Sequence, residues 1–163
     1  MPVPELASAY IGSVVLGSAS SGKPLKNWPT NTAGRTRGPK MNVAATHPKE
    51  MEAYELGRKM FFFRGGPHDF ACATCHNDSG KRIRLQGLPY LADPKEAKQV
   101  VGQWPAYRVS TTQVMTMQHR VYDCYWQMRM PELELGSDVS VALIAYLVKN
   151  AEGGEIATPG LKR

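Results

Sequence analysis

Cys72-Ala73-Thr74-Cys75-His76 is the stretch from which the rest of the chain is read. Two thiols three residues apart, followed at once by a histidine, form the attachment signature of a c-type haem. Each residue has a chemical job. Cys72 and Cys75 can add to the two porphyrin vinyl groups as thioethers, and the backbone between them then carries His76 under the ring as proximal iron ligand. A lone C-x-x-C could also be half a zinc site or a redox disulfide. A zinc site wants a second ligand pair, and the only other cysteine is Cys124. A thioredoxin-like motif wants a βαβ pattern around it, and none surrounds this one.

The segments on either side fit that reading. A helix is expected from Pro48, with the proline in its first turn and Glu50 and Glu52 at its positive end. Met51, Tyr54, Phe61 and Phe62 are expected on one side of it, with Gly57 as a notch where another helix approaches. Gly65-Gly66-Pro67 cannot continue that helix. Asn77 to Arg84 reads as a polar loop. Pro94 to Val101 reads as a short charged helix between Leu-Pro and Trp-Pro breaks. Thr111 to Met128 reads as helical, with Met117, Val121, Cys124, Tyr125 and Met128 on one face. The last helix is expected from Ser137, a capping residue, to Asn150. Its stripe is Val139, Leu143, Tyr146 and Leu147, and Gly153-Gly154 stop it. Packed on Gly57–Phe61, it makes a crossed helix pair. The tail from Ile156 to Arg163 reads as a basic strap. The fold class is mainly α, a cytochrome c-like haem domain with a long, mostly irregular N-terminal extension.

Two divisions are expected, residues 1–47 and 48–163. Residues 5–16 read as a short helix, and residues 17–48 as a Gly-, Ser- and Pro-rich linker pinned by Trp28. Leu6-Ala7-Ser8-Ala9-Tyr10-Ile11 resembles Ala142-Leu143-Ile144-Ala145-Tyr146-Leu147, which makes 1–47 the remnant of a preceding, similar domain plus linker. The start, MPVPELASAY, has neither the basic residues nor the apolar core of an export signal. Because c-type haem is normally attached outside the cytoplasmic membrane, the expectation is a fragment of a periplasmic protein.

Composition narrows the partners. The chain has 163 residues, with 20 Lys+Arg against 14 Asp+Glu, a net charge of +6. That balance favours anionic substrates or acidic partners. No basic run with interleaved aromatics suggests nucleic acid, and no apolar stretch is long enough for a membrane span.

The distal iron ligand stays open from the residues alone. Met115, Met117, Met128 and Met130 are candidates by position, since thioether is the usual second ligand of electron-transfer cytochromes. His119 lies five residues before Cys124, roughly 140° away around an ideal helix, so the two cannot share a face. Cys124 is the other candidate. Arg120, one turn earlier, would favour its thiolate, the form that ligates metals and attacks sulfur.

A family resemblance rests on longer runs. Tyr54-Glu55-Leu56-Gly57-Arg58-Lys59-Met60-Phe61 and Arg64-Gly65-Gly66-Pro67-His68-Asp69-Phe70-Ala71 before the haem motif resemble the C-terminal haem domain of SoxA. The likeness continues through Trp104-Pro105-Ala106-Tyr107-Arg108, Met117-Gln118-His119-Arg120-Val121-Tyr122-Asp123-Cys124 and Pro159-Gly160-Leu161-Lys162-Arg163. The resemblance implies a subunit of a SoxAX cytochrome acting as an L-cysteine S-thiosulfotransferase in thiosulfate oxidation. It implies that Cys124 binds the haem iron and carries a persulfide, and that Arg120 binds the substrate anion. It also implies thiosulfate as substrate, a SoxX-like cytochrome partner, a SoxY-like carrier whose cysteine accepts the thiosulfate, and a small cytochrome c as electron acceptor. Arg108, Lys81 and Arg84 are further basic residues that the sequence does not rank. The competing reading is a simple periplasmic electron-transfer cytochrome with His/Met ligation and Cys124 as a bystander.

Overall fold

The computed structural model describes residues 37–43, 45–83 and 85–163. The expected helix at 5–16, with the first copy of the six-residue repeat, and the linker with Trp28 lie outside those residues, apart from the linker's last part.

Helix α1 spans Pro48–Phe62. Its start is fixed by a residue the sequence reading passed over. His47 Nδ1 accepts from the Lys49 N–H at 3.1 Å, and Glu50 Oε2 accepts from the His47 N–H at 3.1 Å. The two bonds satisfy donors that a helix N-terminus leaves orphaned. Helix α2, Cys72–His76, is the haem motif itself. Helix α3, Pro94–Val100, starts on an Asp93 cap and runs into a 3-10 turn at Val101–Gln103. Helix α4 spans Met117–Gln127 and α5 spans Asp138–Asn150. Ser137 caps α5 as expected, its hydroxyl accepting from the Ser140 N–H at 3.3 Å.

Helices α1 and α5 cross at Gly57. A β-carbon there would lie 1.9 Å from the Ala142 carbonyl oxygen, so the two backbones touch and only glycine fits. Around the crossing, Tyr54 and Phe61 pack on Tyr146, with ring centroids 5.6 and 5.1 Å apart. The expected stripe of α1 is half right. Phe61 is buried, but Met51 and Phe62 are each 43% exposed, because the crossing at Gly57 leaves only Tyr54 and Phe61 of that set facing α5. Helix α5 serves two cores. Leu143, Tyr146 and Leu147 join Phe61, Tyr125 and Leu133, while Val148 and Ala151 pack with Met41, Val43, Ala97 and Val101.

The segments read as loop or strap form short strands. Strand β1, Arg37–Lys40, pairs antiparallel with β6, Glu155–Ala157. With Met41 and Val43 buried, residues 37–43 pack into the haem domain although the sequence reading places them in the linker. Strands β2, Arg82–Ile83, and β3, Gln86–Gly87, make a small hairpin in the expected polar loop. Strand β4, Ala106–Arg108, sits between β5, Gln113–Met115, and β7, Gly160–Lys162, antiparallel to β5 and parallel to β7. The expected helix over 111–128 therefore begins only at Met117. Thr116 caps it, accepting from the His119 N–H at 3.2 Å, and the residues before it are used as strand.

Candidate haem and sulfur site

The haem motif is held by its own hydrogen bonds. Thr74 Oγ1 accepts from the Ala71 N–H at 2.9 Å, closing the turn that presents Cys72 and Cys75. Lys81 Nζ donates to the Thr74 carbonyl at 2.8 Å. Lys81 is thus tied to the α2 backbone and is not among the cavity-lining residues. Arg84 lies outside the described residues. His76 has its Nδ1 at 2.8 Å from the Pro89 carbonyl oxygen. That bond requires the Nδ1–H tautomer and leaves Nε2 as the free electron pair, the arrangement that orients an imidazole ligand. Burial holds the His76 pKa below its ordinary 6.5, although the Pro89 carbonyl pulls the other way. The ring is neutral at neutral pH, the ligating form.

Cys72, Cys75 and His76 line one cavity of about 660 Å³, and so does Cys124. Its walls include Phe61 and Leu143 from the helix crossing. From α4 come Met117, Arg120, Val121, Cys124 and Tyr125, and Met128 follows as its C-cap, the spacing of one helical face. Met130 follows from the next turn. The face expected from sequence is therefore the one that meets the cavity. The structure does not bring His119 or Met115 there. His119 is exposed near Thr116, and Met115, in β5, accepts weakly from the Thr111 hydroxyl. Met117, Met128 and Met130 remain as thioethers on the same wall as Cys124.

The residues fit haem c. Cavities that bury a cofactor typically measure about 300–1,000 Å³ and are mostly apolar. This one joins an apolar wall to two free thiols, an oriented imidazole and a further sulfur. Among the described residues no group of three or more His, Cys, Asp and Glu is placed to hold a metal ion on its own. The same residues include no helix long and apolar enough to cross a membrane.

A polar cluster stands beside Cys124. Asp123 Oδ2 accepts from Arg120 at 2.7 Å and from Arg108, reaching it from β4. Both arginines line the cavity. Burial pushes the Asp123 carboxyl up, but Gln127 and the two guanidiniums together hold it below its usual range. The Cys124 thiol goes the other way. Burial raises it from 9.0, Arg120 is the largest opposing influence, and burial wins. The expected effect of Arg120 on the thiolate is present in direction but does not prevail in the protein chain alone. Tyr125, deeper in the wall, has a buried hydroxyl with no partner among the described residues.

The chain is similar to several known proteins. The family model described as SoxA/TsdA, cytochrome c domain, matches residues 56–156. The L-cysteine S-thiosulfotransferase subunit SoxA of Hydrogenophilus thermoluteolus is 52% identical over 128 residues, covering 78% of this chain and 47% of that protein. A subunit of the same name from Hydrogenobacter thermophilus is 42% identical over 155 residues, covering 94% of this chain and 57% of that protein. The chain thus spans about half the length of the curated relatives it matches. The crystal structure of SoxXA from P. pantotrophus superposes with a TM-score of 0.69 at 22% identity, over all of this chain and 60% of that one. That likeness speaks to the fold.

Proposed function

The chain belongs to the SoxA/TsdA cytochrome c domain family, and from that premise we propose that it is the haem-bearing part of an L-cysteine S-thiosulfotransferase of thiosulfate oxidation. Membership in a cytochrome c domain family implies haem c. In this reading Cys72 and Cys75 would bind it covalently, and His76 and Cys124 would ligate its iron. The observation that carries the proposal is the placement of Cys124 and Arg120 on one face of α4, in the same cavity as the C-x-x-C-H motif.

Each residue then has a role. Arg120 binds the oxygens of thiosulfate, since a guanidinium offers charge-assisted, directional donors to such an anion. Cys124 is the polarisable sulfur of the site and carries the persulfide. The apolar wall excludes water and so strengthens the hold of Arg120 on the anion. In the net reaction thiosulfate and a carrier thiol give a carrier S-thiosulfonate. One sulfur–sulfur bond forms, the S–H proton is released and two electrons are removed. Bound haem c supplies the one-electron redox centre for them.

The partners in this reading are a SoxX-like cytochrome subunit, a SoxY-like carrier and a small cytochrome c acceptor, in the periplasm. Residues 1–47 would be the remnant of a preceding, similar domain and its linker. Intact mass of the haem-loaded protein tests the core of the proposal. The expected result is one haem plus about 32 Da on Cys124, one sulfur atom, lost on mild reduction. One haem with an alkylatable, unmodified Cys124 and no thiosulfate-dependent transfer would leave an electron carrier instead.

A further inference from the structure

The sequence leaves Arg108 unranked, and the structure gives it neighbours. It reaches from β4 to the carboxylate that also holds Arg120, across fifteen positions of sequence. Its side chain is 13% exposed, and Asp123 and Arg120 are 25% and 30% exposed. Two cavity-lining arginines therefore share one carboxylate oxygen, Asp123 Oδ2, which accepts from both.

We infer that Arg108 is a second anion-binding arm of this site, and that Asp123 is a positioning residue that holds Arg108 and Arg120 as a pair facing the cavity. Two guanidiniums side by side repel each other, and a shared carboxylate offsets that repulsion. Each guanidinium has five N–H donors. The bonds to Asp123 leave the remaining donors of both for a ligand. A tetrahedral dianion presents several acceptor oxygens at once, which two fixed forks engage better than one. Arg108 is further fixed by its register in β4, where it stands opposite Gln113 of β5 and Lys162 of β7. Its Nε also donates to the Arg163 carbonyl at 3.4 Å. The second arm thus comes from the sheet, and the first from the helix that carries Cys124. The ligand class is a small tetrahedral dianion such as thiosulfate or sulfate. The inference rests on the functional reading only for the identity of the substrate.

The test is equilibrium binding of thiosulfate, and separately of sulfate, to the haem-loaded protein, with steady-state transfer measured in parallel. Arg108→Gln should weaken thiosulfate binding about tenfold, the loss expected when one charge-assisted bond is removed. Asp123→Asn should weaken it by a similar factor, and Asp123→Glu should restore part of it. In the Arg108→Gln background, Asp123→Asn should cost clearly less than in the wild type, because one of the two groups it positions is gone. Haem content and thermal midpoint report whether the variants stay folded. Unchanged thiosulfate binding in folded Arg108→Gln overturns the inference, even if transfer proceeds. So do equal losses from Asp123→Asn in both backgrounds, which mark a merely structural carboxylate. Dianion binding that depends on Arg108 without any transfer to a carrier thiol supports the inference and tells against the functional reading.

Discussion

Replacing Gly57 by alanine should destabilise the protein, although alanine is the better helix former by about 1 kcal/mol. The added β-carbon would lie 1.9 Å from the Ala142 carbonyl oxygen, 2.6 Å from its carbonyl carbon and 2.9 Å from the Tyr146 β-carbon. Carbon–oxygen contacts of this kind settle near ~3.3 Å, so the helices must part by roughly 1.4 Å. The nearest obstacle is backbone, which has no rotamer to turn aside. A radial gap of about 1 Å already forfeits a quarter to a half of the dispersion energy across it. The Tyr54–Tyr146 and Phe61–Tyr146 contacts lie on that seam. Overpacking of a core typically costs about 1–3 kcal/mol. With backbone as the obstacle the upper end applies, and after the propensity gain a net loss of about 2 kcal/mol remains. For a domain of this size that is a fall of about 8 °C in Tm. Urea unfolding of the haem-loaded protein, followed by tryptophan fluorescence, measures it. If Gly57→Ala is as stable as the wild type, the backbones of α1 and α5 do not touch and the reasoning fails.

Three further outcomes are expected. Ser137→Ala removes the α5 cap and should cost about 1 kcal/mol in urea unfolding. Arg120→Ala should raise the thiosulfate KM about tenfold or more, leaving haem content unchanged, since a charge-assisted bond to the anion is lost while the attachment residues are untouched. Asp123 gives a pH dependence. Its folded pKa lies below its ordinary 3.8, so the stability it contributes is complete above pH 3.8 and drains away as pH falls below that value. In a series of unfolding curves from neutral pH to acid, Asp123→Asn should lack that part of the acid loss. An identical acid limb in both proteins would show that Asp123 is not engaged by the arginines.

What was legible in the sequence is what depends on local spacing. The C-x-x-C-H motif, the cavity face of α4 from Met117 to Met128, the Ser137 cap and the Gly57 notch are each fixed by residues a few positions apart. What was missed depends on residues far apart. Gln113–Met115 is strand because β4 and β7 pair beside it, and β7 arrives from position 160. Residues 37–43 look like linker until β6 and α5 cover them. Lys149 Nζ, in the last turn of α5, donates to the Val43 carbonyl at 2.9 Å, a partner 106 positions away in sequence. Arg108 could not be ranked because its partner, Asp123, is on another element. His47 was legible in principle. A side-chain acceptor three residues before a glutamate is a capping-box pattern, but histidine is an unusual residue for the first position.

The distal ligand turns on a competition that the fold makes explicit. Burial raises the Cys124 thiol above 9.0 even against Arg120 and Arg108, so an unligated Cys124 is protonated at neutral pH. Binding iron as thiolate must then release a proton, and such ligation weakens as pH falls. Thioether ligation by Met117, Met128 or Met130 releases none. An acid titration of the haem spectrum in the oxidised protein therefore separates the ligands. With Cys124 on the iron the spectrum changes in one acid step, and Arg120→Ala, by removing the strongest influence favouring the thiolate, moves that step to higher pH. Cys124→Ala should alter the starting spectrum and remove the step. Met128, one turn after Cys124 and lining the same cavity, is the thioether to test as its substitute. A double variant that also replaces Met128 by Leu should then lose low-spin character. If Cys124→Ala leaves the spectrum and its acid behaviour as in the wild type, the iron is held by methionine, and the arginine pair beside Cys124 serves the anion alone.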